Sequence, residues 1–141
     1  MFPKITMRGT SHSEFRYNGE LTSTVAGLTV DNAAELLQGK AVTIDGSVDN
    51  GYTLAADNAT IDGIILMAEY YPAEARVTIS VETKGGVAAK LLNGNAGTKG
   101  TVAVGAGNGL VKTSGARTAQ GPIIVEDAAK ASEGLVVLLF K

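Results

Sequence analysis

NGYTLAADNATIDGIILMAE, residues 50–69, opens as an alternating strand and then changes character. Leu54 is followed by Ala55-Ala56 and by the turn-rich Asp57-Asn58-Ala59-Thr60. Order resumes at Ile61-Asp62-Gly63, and Ile64-Ile65-Leu66-Met67 then runs on without a polar break. A strand that is apolar on both faces needs both faces covered, by the protein's own layers or by another subunit. A few residues later ARVTISVE (75–82) follows the opposite rule. Val77, Ile79 and Val81 point one way, while Arg76, Thr78, Ser80 and Glu82 point the other, as in a strand with one wet face. YYPAEA (70–75) reads as the loop between the two, with Tyr70 and Tyr71 near its tip.

Upstream, KAVTID (40–45) starts the sheet, with Val42 and Ile44 on one face and Thr43 on the other. Before it, DNAAELLQGK (31–40) carries a helical signal: Asp31 or Asn32 as cap, Glu35 three residues after Asn32 as in a capping box, and Gly39 as the stop. This short helix would pack Leu36 and Leu37. Downstream, residues 84–121 are thick with glycine, and TVAV (101–104) and GLVKT (109–113) read as short strands between turns. A second short helix is expected at EDAAKASEG (126–134), before a final strand LVVLLFK (135–141) that is again apolar on both faces. No internal repeat of solenoid length is present.

Residues 1–31 form an N-terminal arm or edge hairpin, and residues 32–141 a single β-rich domain. Asn18-Gly19 is a two-residue hairpin signal. An extended arm that gains order against a partner fits the same residues, and LTSTVAGLTV (21–30) has the Thr and Val content to add to a neighbour's edge.

Composition narrows the function. The 141 residues make about one domain. Gly, Ala, Val and Thr dominate, aromatics are few and Trp is absent, which suits short strands and tight turns. The 12 basic and 14 acidic residues are scattered, so no surface for nucleic acid is expected. With no Cys there is no disulfide, thiolate metal site or thiol nucleophile. MFPKITMRGTSHSEF lacks the apolar core of a secretory signal, and the longest apolar run, Leu135 to Phe140, is too short to cross a bilayer. The expectation is a soluble protein made without export, with no membrane partner. Asn58-Ala59-Thr60 fits a glycosylation acceptor but reads as a turn.

Each lead toward chemistry fails on its own pattern. VGAGNG (104–109) would need a third glycine where Leu110 stands, and a helix opening there. DGSVDNG (45–51) starts like a calcium loop, but Asn50 and Ala56 stand where that loop requires Gly and a bidentate acid. His12, the only histidine, lies in a Ser-rich stretch without a frame for a triad. Asp57 with Asp62, or Glu126 with Asp127, are explained by turns and helix starts. We therefore expect no catalytic residues, metal or cofactor, and apolar surfaces as the working parts.

GKAVTIDGSV (39–48), YTLAADNATIDGIIL (52–66), VTISVETKGGVAAKL (77–91) and GPIIVEDAAKASEGLVVLLFK (121–141) appear in an order that resembles the capsid decoration, or cement, proteins of tailed bacteriophages. The likeness covers residues 39–141 and is one of pattern. It implies a mainly β fold, a compact β-barrel-like or β-tulip domain with one or two short helices and an extended N-terminal arm. It implies a non-enzymatic structural protein of the virion, made in the host cytoplasm and seated on the capsid surface. There it would brace adjoining copies of the major capsid protein as a homo-oligomer, a trimer in the first place and a dimer as the alternative. Position marks Phe2, Ile5, Phe15, Tyr17, Leu21 and Val25 in the arm, and then Tyr70 and Tyr71, as contact residues. The alternative is a head-fibre or tail-associated module that recognises a host surface glycan, with Tyr70-Tyr71 as its exposed aromatic pair.

Overall fold

The computed structural model describes residues 16–90, 99–114, 121–126 and 134–140. With 50% of residues in strands and 8% helical, the protein is mainly β, as expected. In chain order the elements are β1 (Arg16–Leu21), α1 (Ala33–Leu37), β2 (Ala41–Asp45), β3 (Gly51–Leu54), β4 (Gly63–Tyr71), β5 (Arg76–Glu82), β6 (Gly85–Lys90), β7 (Ala103–Gly105), β8 (Val111–Thr113), β9 (Ile123–Glu126) and β10 (Leu135–Phe140).

Five strands pair in the order β1-β3-β2-β4-β5, and β5 returns to β1 to close a barrel. The β4–β5 and β1–β5 seams are long and antiparallel. The parallel β1–β3 seam spans only Glu20↔Gly51 and Leu21↔Tyr52, and the β2–β4 seam only Ala41↔Ile64 and Val42↔Gly63. A three-stranded antiparallel sheet, β6-β10-β9, and the β7–β8 hairpin complete the described fold.

Two cores explain the unbroken apolar run. Val42, Leu54, Ile65, Val77, Ile79 and Val81 fill the barrel, and Leu37 from α1 joins them. Ala41, Ala55, Ile61 and Ile64 instead meet Ile124, Val136, Leu138 and Phe140 of the second sheet. Neighbours in sequence thus serve different cores: Ala41 and Val42, Leu54 and Ala55, Ile64 and Ile65. Burying each of the two isoleucines is worth about 1.5–3 kcal/mol. A bulge between Ile65 and Met67 then resets the phase of β4, so that Ala68 faces inward opposite Ile79 while Met67 is 58% exposed. Gly63 is required where β4 enters this layer, because a Cβ there would collide with Val81 Cγ1.

Several expectations are corrected. β4 continues through Tyr70 and Tyr71, which pair with Val77 and Arg76, and the link to β5 is only the 3₁₀ turn Pro72–Glu74 with Ala75 at φ 51°. Aromatic residues favour the pleated surface, so the strand outlasts the loop signal. Asn18-Gly19 is not a hairpin turn but mid-strand in β1, opposite Ser80 and Ile79; Gly19 leaves room for the Tyr52 ring. Glu82, expected to face solvent, is 8% exposed. Ile44 is 61% exposed although its neighbour on the same face, Val42, is fully buried.

Thr22 and Ser23 are bonded to their own barrel. Thr22 Oγ1 donates to Asp45 Oδ2 (2.7 Å), the Ser23 and Thr53 hydroxyls are bonded at 2.8 Å, and Leu54 N donates to Ser23 Oγ (2.8 Å). α1 forms as predicted, without the capping box. Asn32 precedes the helix, but its Oδ1 accepts from Thr29 N (2.7 Å) and its Nδ2 donates to Gly27 O (2.8 Å), which closes the preceding turn instead. At the other end Lys90 Nζ donates to the Glu35 and Leu36 carbonyls (2.9 and 3.3 Å). The helix expected at 126–134 lies outside the described residues, apart from its end positions.

Candidate interaction surface

The final strand decides where the protein can meet a neighbour. β10 is the centre of its sheet, paired with β6 on one side and β9 on the other. Alternation sends Val136, Leu138 and Phe140 inward, where they are 0%, 0% and 8% exposed. Leu135, Val137 and Leu139 therefore point out. Across the seams, Leu139 faces Gly86 and Ile123, and Val137 faces Ala88 and Glu126.

A bulge between Val137 and Leu138 skips Val125 and leaves it 45% exposed, beside Leu139 at 39%. Leu135, Val137 and Ile123 are half-buried and Ala88 is exposed. On the outer face Leu135, Val137 and Leu139 of β10, Ala88 of β6 and Ile123 and Val125 of β9 are thus aliphatic, while the register sets Lys90 opposite Leu135 and Glu126 opposite Val137. An antiparallel sheet with one wet face would alternate apolar with polar here, and this one does not.

Besides Glu126 in β9, the sheet carries charge at the corner where β6 meets the barrel. Lys90 N donates to Gly39 O (2.8 Å), and Lys40 follows Gly39. Burial, and secondarily the positive charge of Lys90, lower the Lys40 pKa from its ordinary value.

The residues marked from the sequence are scattered. Leu21 is 5% exposed and lines the barrel; Val25, half-buried, packs against the same core. Tyr17 belongs to β1, opposite Val81. Phe2, Ile5 and Phe15 lie outside the described residues. Tyr70 and Tyr71, adjacent in β4, fall on opposite faces: Tyr70 packs on the barrel core and Tyr71 is 41% exposed. They form no stacked pair.

Leu139, Val137 and Val125 were not named from the sequence, although LVVLLFK carried the signal. The continuous run showed that both faces of the strand need cover, but not which face the protein's own layers would supply.

The motifs set aside on pattern are turns. Asp45 Oδ1 accepts from Ser47 N (3.0 Å) and Ser47 Oγ (2.6 Å), and Oδ2 accepts from Thr22. These bonds, led by the Ser47 hydroxyl, hold the Asp45 carboxyl below its ordinary pKa. VGAGNG is the β7–β8 turn, with Gly107, Asn108 and Gly109 all at positive φ. Among the described residues, no group of three His, Asp or Glu could hold a metal ion, and no helix is long and apolar enough to cross a membrane. Comparison with family models, curated proteins and solved structures finds no match to this chain.

Proposed function

We propose that this chain is a capsid decoration protein of a tailed bacteriophage, a structural virion protein that binds the outside of the assembled shell. There it braces adjoining major capsid subunits, as a homo-oligomer with a trimer favoured, and it performs no bond-making. One observation supports this reading above the others: the aliphatic residues on the outer face of the β6-β10-β9 sheet, where the large side chains of Leu139 and Val125 are exposed. A contact of modest area gains strength when many copies engage a repeating lattice together, at about 25 cal/mol per Å² of apolar surface removed from water.

The test is co-sedimentation with purified empty phage shells, followed by cryo-microscopy of the decorated particles. Binding to assembled shells, and little to free coat subunits, is the expected result. Protein that stays in the supernatant at micromolar concentration overturns the proposal. The alternative of a glycan module built on a tyrosine pair loses its support, since β4 sends the two rings to opposite sides.

A further inference from the structure

The second sheet has two edges, and among the described residues the chain covers only one of them. Beyond β9, Ile124 N donates to Thr101 O (2.9 Å) and Gly100 N donates to Ile124 O (2.8 Å). Beyond β6 the cover is a single bond, from Lys90 N to Gly39 O (2.8 Å). That bond fixes the orientation of the whole strand. Lys90 turns its backbone groups away from β10, and with a period of two so do Ala88 and Gly86. The backbone N–H and C=O groups of Gly86 and Ala88 have no partner among the described residues.

Natural sheet edges are blunted by proline, by bulges or by charged side chains. The open part of β6, Gly85-Gly86-Val87-Ala88-Ala89, carries none of these, and its pairing with β10 runs through without a shift in register. A Cβ at Gly85 would meet nothing within 4 Å, and one at Gly86 would meet only Leu138 O at 3.9 Å. Another backbone can therefore come up to pairing distance, about 4.8 Å.

An unpaired edge calls for an extended strand, and the register selects a copy of β6 itself. Two copies set antiparallel use every free group when Val87 stands opposite the partner's Val87. Gly86 then faces the partner's Ala88, Ala88 faces the partner's Gly86, and each pair exchanges two N–H···O bonds. Centring the pairing on Ala88 calls on Lys90 N–H, already given to Gly39 O. Centring it on Gly86 calls on Lys84, which lies outside the strand. The bond to Gly39 also ends the pairing before Lys90 would stand opposite the partner's Lys84.

We propose that a second copy of this chain adds to the β6 edge, giving one continuous six-stranded sheet in the order β9-β10-β6-β6-β10-β9. The pairing places Val125 and Leu139 of both copies on the same side of that sheet. The contact is two-fold; it is separate from the threefold contact favoured above and does not rest on the capsid reading.

The test is sedimentation velocity of the full chain over a dilution series, with amide hydrogen exchange followed by NMR at each concentration. A monomer–dimer equilibrium in the micromolar to millimolar range is expected, and the Gly86 and Ala88 amides should exchange more slowly as the dimer fills. Ala88→Pro removes one donor per copy at a position not bonded to β10. It should keep the melting temperature and weaken the dimer by about tenfold or more. Val87→Cys gives a second readout in a chain with no other cysteine, and should form a disulfide-linked dimer on mild oxidation. Leu139→Cys should not, since about three strand spacings of 4.8 Å separate it from its counterpart. The proposal is overturned by protein that stays monomeric up to about 1 mM. It is equally overturned by Gly86 and Ala88 amides whose exchange does not change with concentration, by a dimer that Ala88→Pro leaves at full strength, or by cross-linking of Leu139→Cys in place of Val87→Cys.

Discussion

Gly63 marks the point where β4 passes between the two cores, and a methyl group there has no space beside Val81. Gly63→Ala should therefore destabilise the protein by about 1–3 kcal/mol, as overpacking does elsewhere. In urea the midpoint should fall with an unchanged slope, and an unmoved midpoint would show that the layer is looser than described. Asp45 tests a different kind of bond. Its folded pKa lies below the ordinary 3.8, because the Ser47 and Thr22 hydroxyls and the Ser47 amide favour the charged form. A depressed pKa contributes stability that is present above the unfolded value and lost as pH falls through the folded one. The melting temperature of Asp45→Ala should therefore lie below wild type near neutrality, and the gap should narrow below about pH 4. A gap that stays constant through that window would rule out the charge-assisted bonds.

At the scale of the element, β10 separates stability from surface within two adjacent residues. Leu138 is fully buried against Ile64, so Leu138→Ala should cost about 2–5 kcal/mol in denaturant titration. Leu139 points the other way, and Leu139→Ala should change stability by no more than about 0.5 kcal/mol. Comparable losses would mean that β10 is buried on both faces within one chain. Much of this was legible in advance. The alternation of Val77, Ile79 and Val81 set one face of β5, and the absence of alternation in Ile64–Met67 announced a strand between layers. What periodicity cannot carry is pairing. Asn18-Gly19 looks like a turn in isolation, yet six consecutive pairs with β5 hold it extended, and its glycine serves the Tyr52 ring. Tyr70 and Tyr71 read as loop beside Pro72, while their cross-strand partners lie several residues downstream.

For the molecule as a whole, the fold supplies a five-stranded barrel, and a second sheet packs on one side of it. The inner face of that sheet completes a core; its outer face leaves the aliphatic side chains of Val125 and Leu139 exposed. On the capsid proposal, that outer face meets the shell or a neighbouring copy. Leu21 and Val25, apolar and near the start of the chain, pack on the barrel core instead. Surface role follows from what the layers leave uncovered, which no single segment reveals. The most direct measurement compares wild type with a Val125→Ser/Leu139→Ser double variant in co-sedimentation with empty shells, after circular dichroism has shown equal folding. Wild type should pellet with the shells and the variant should remain in solution. Equal pelleting of both, or of neither, would contradict the account.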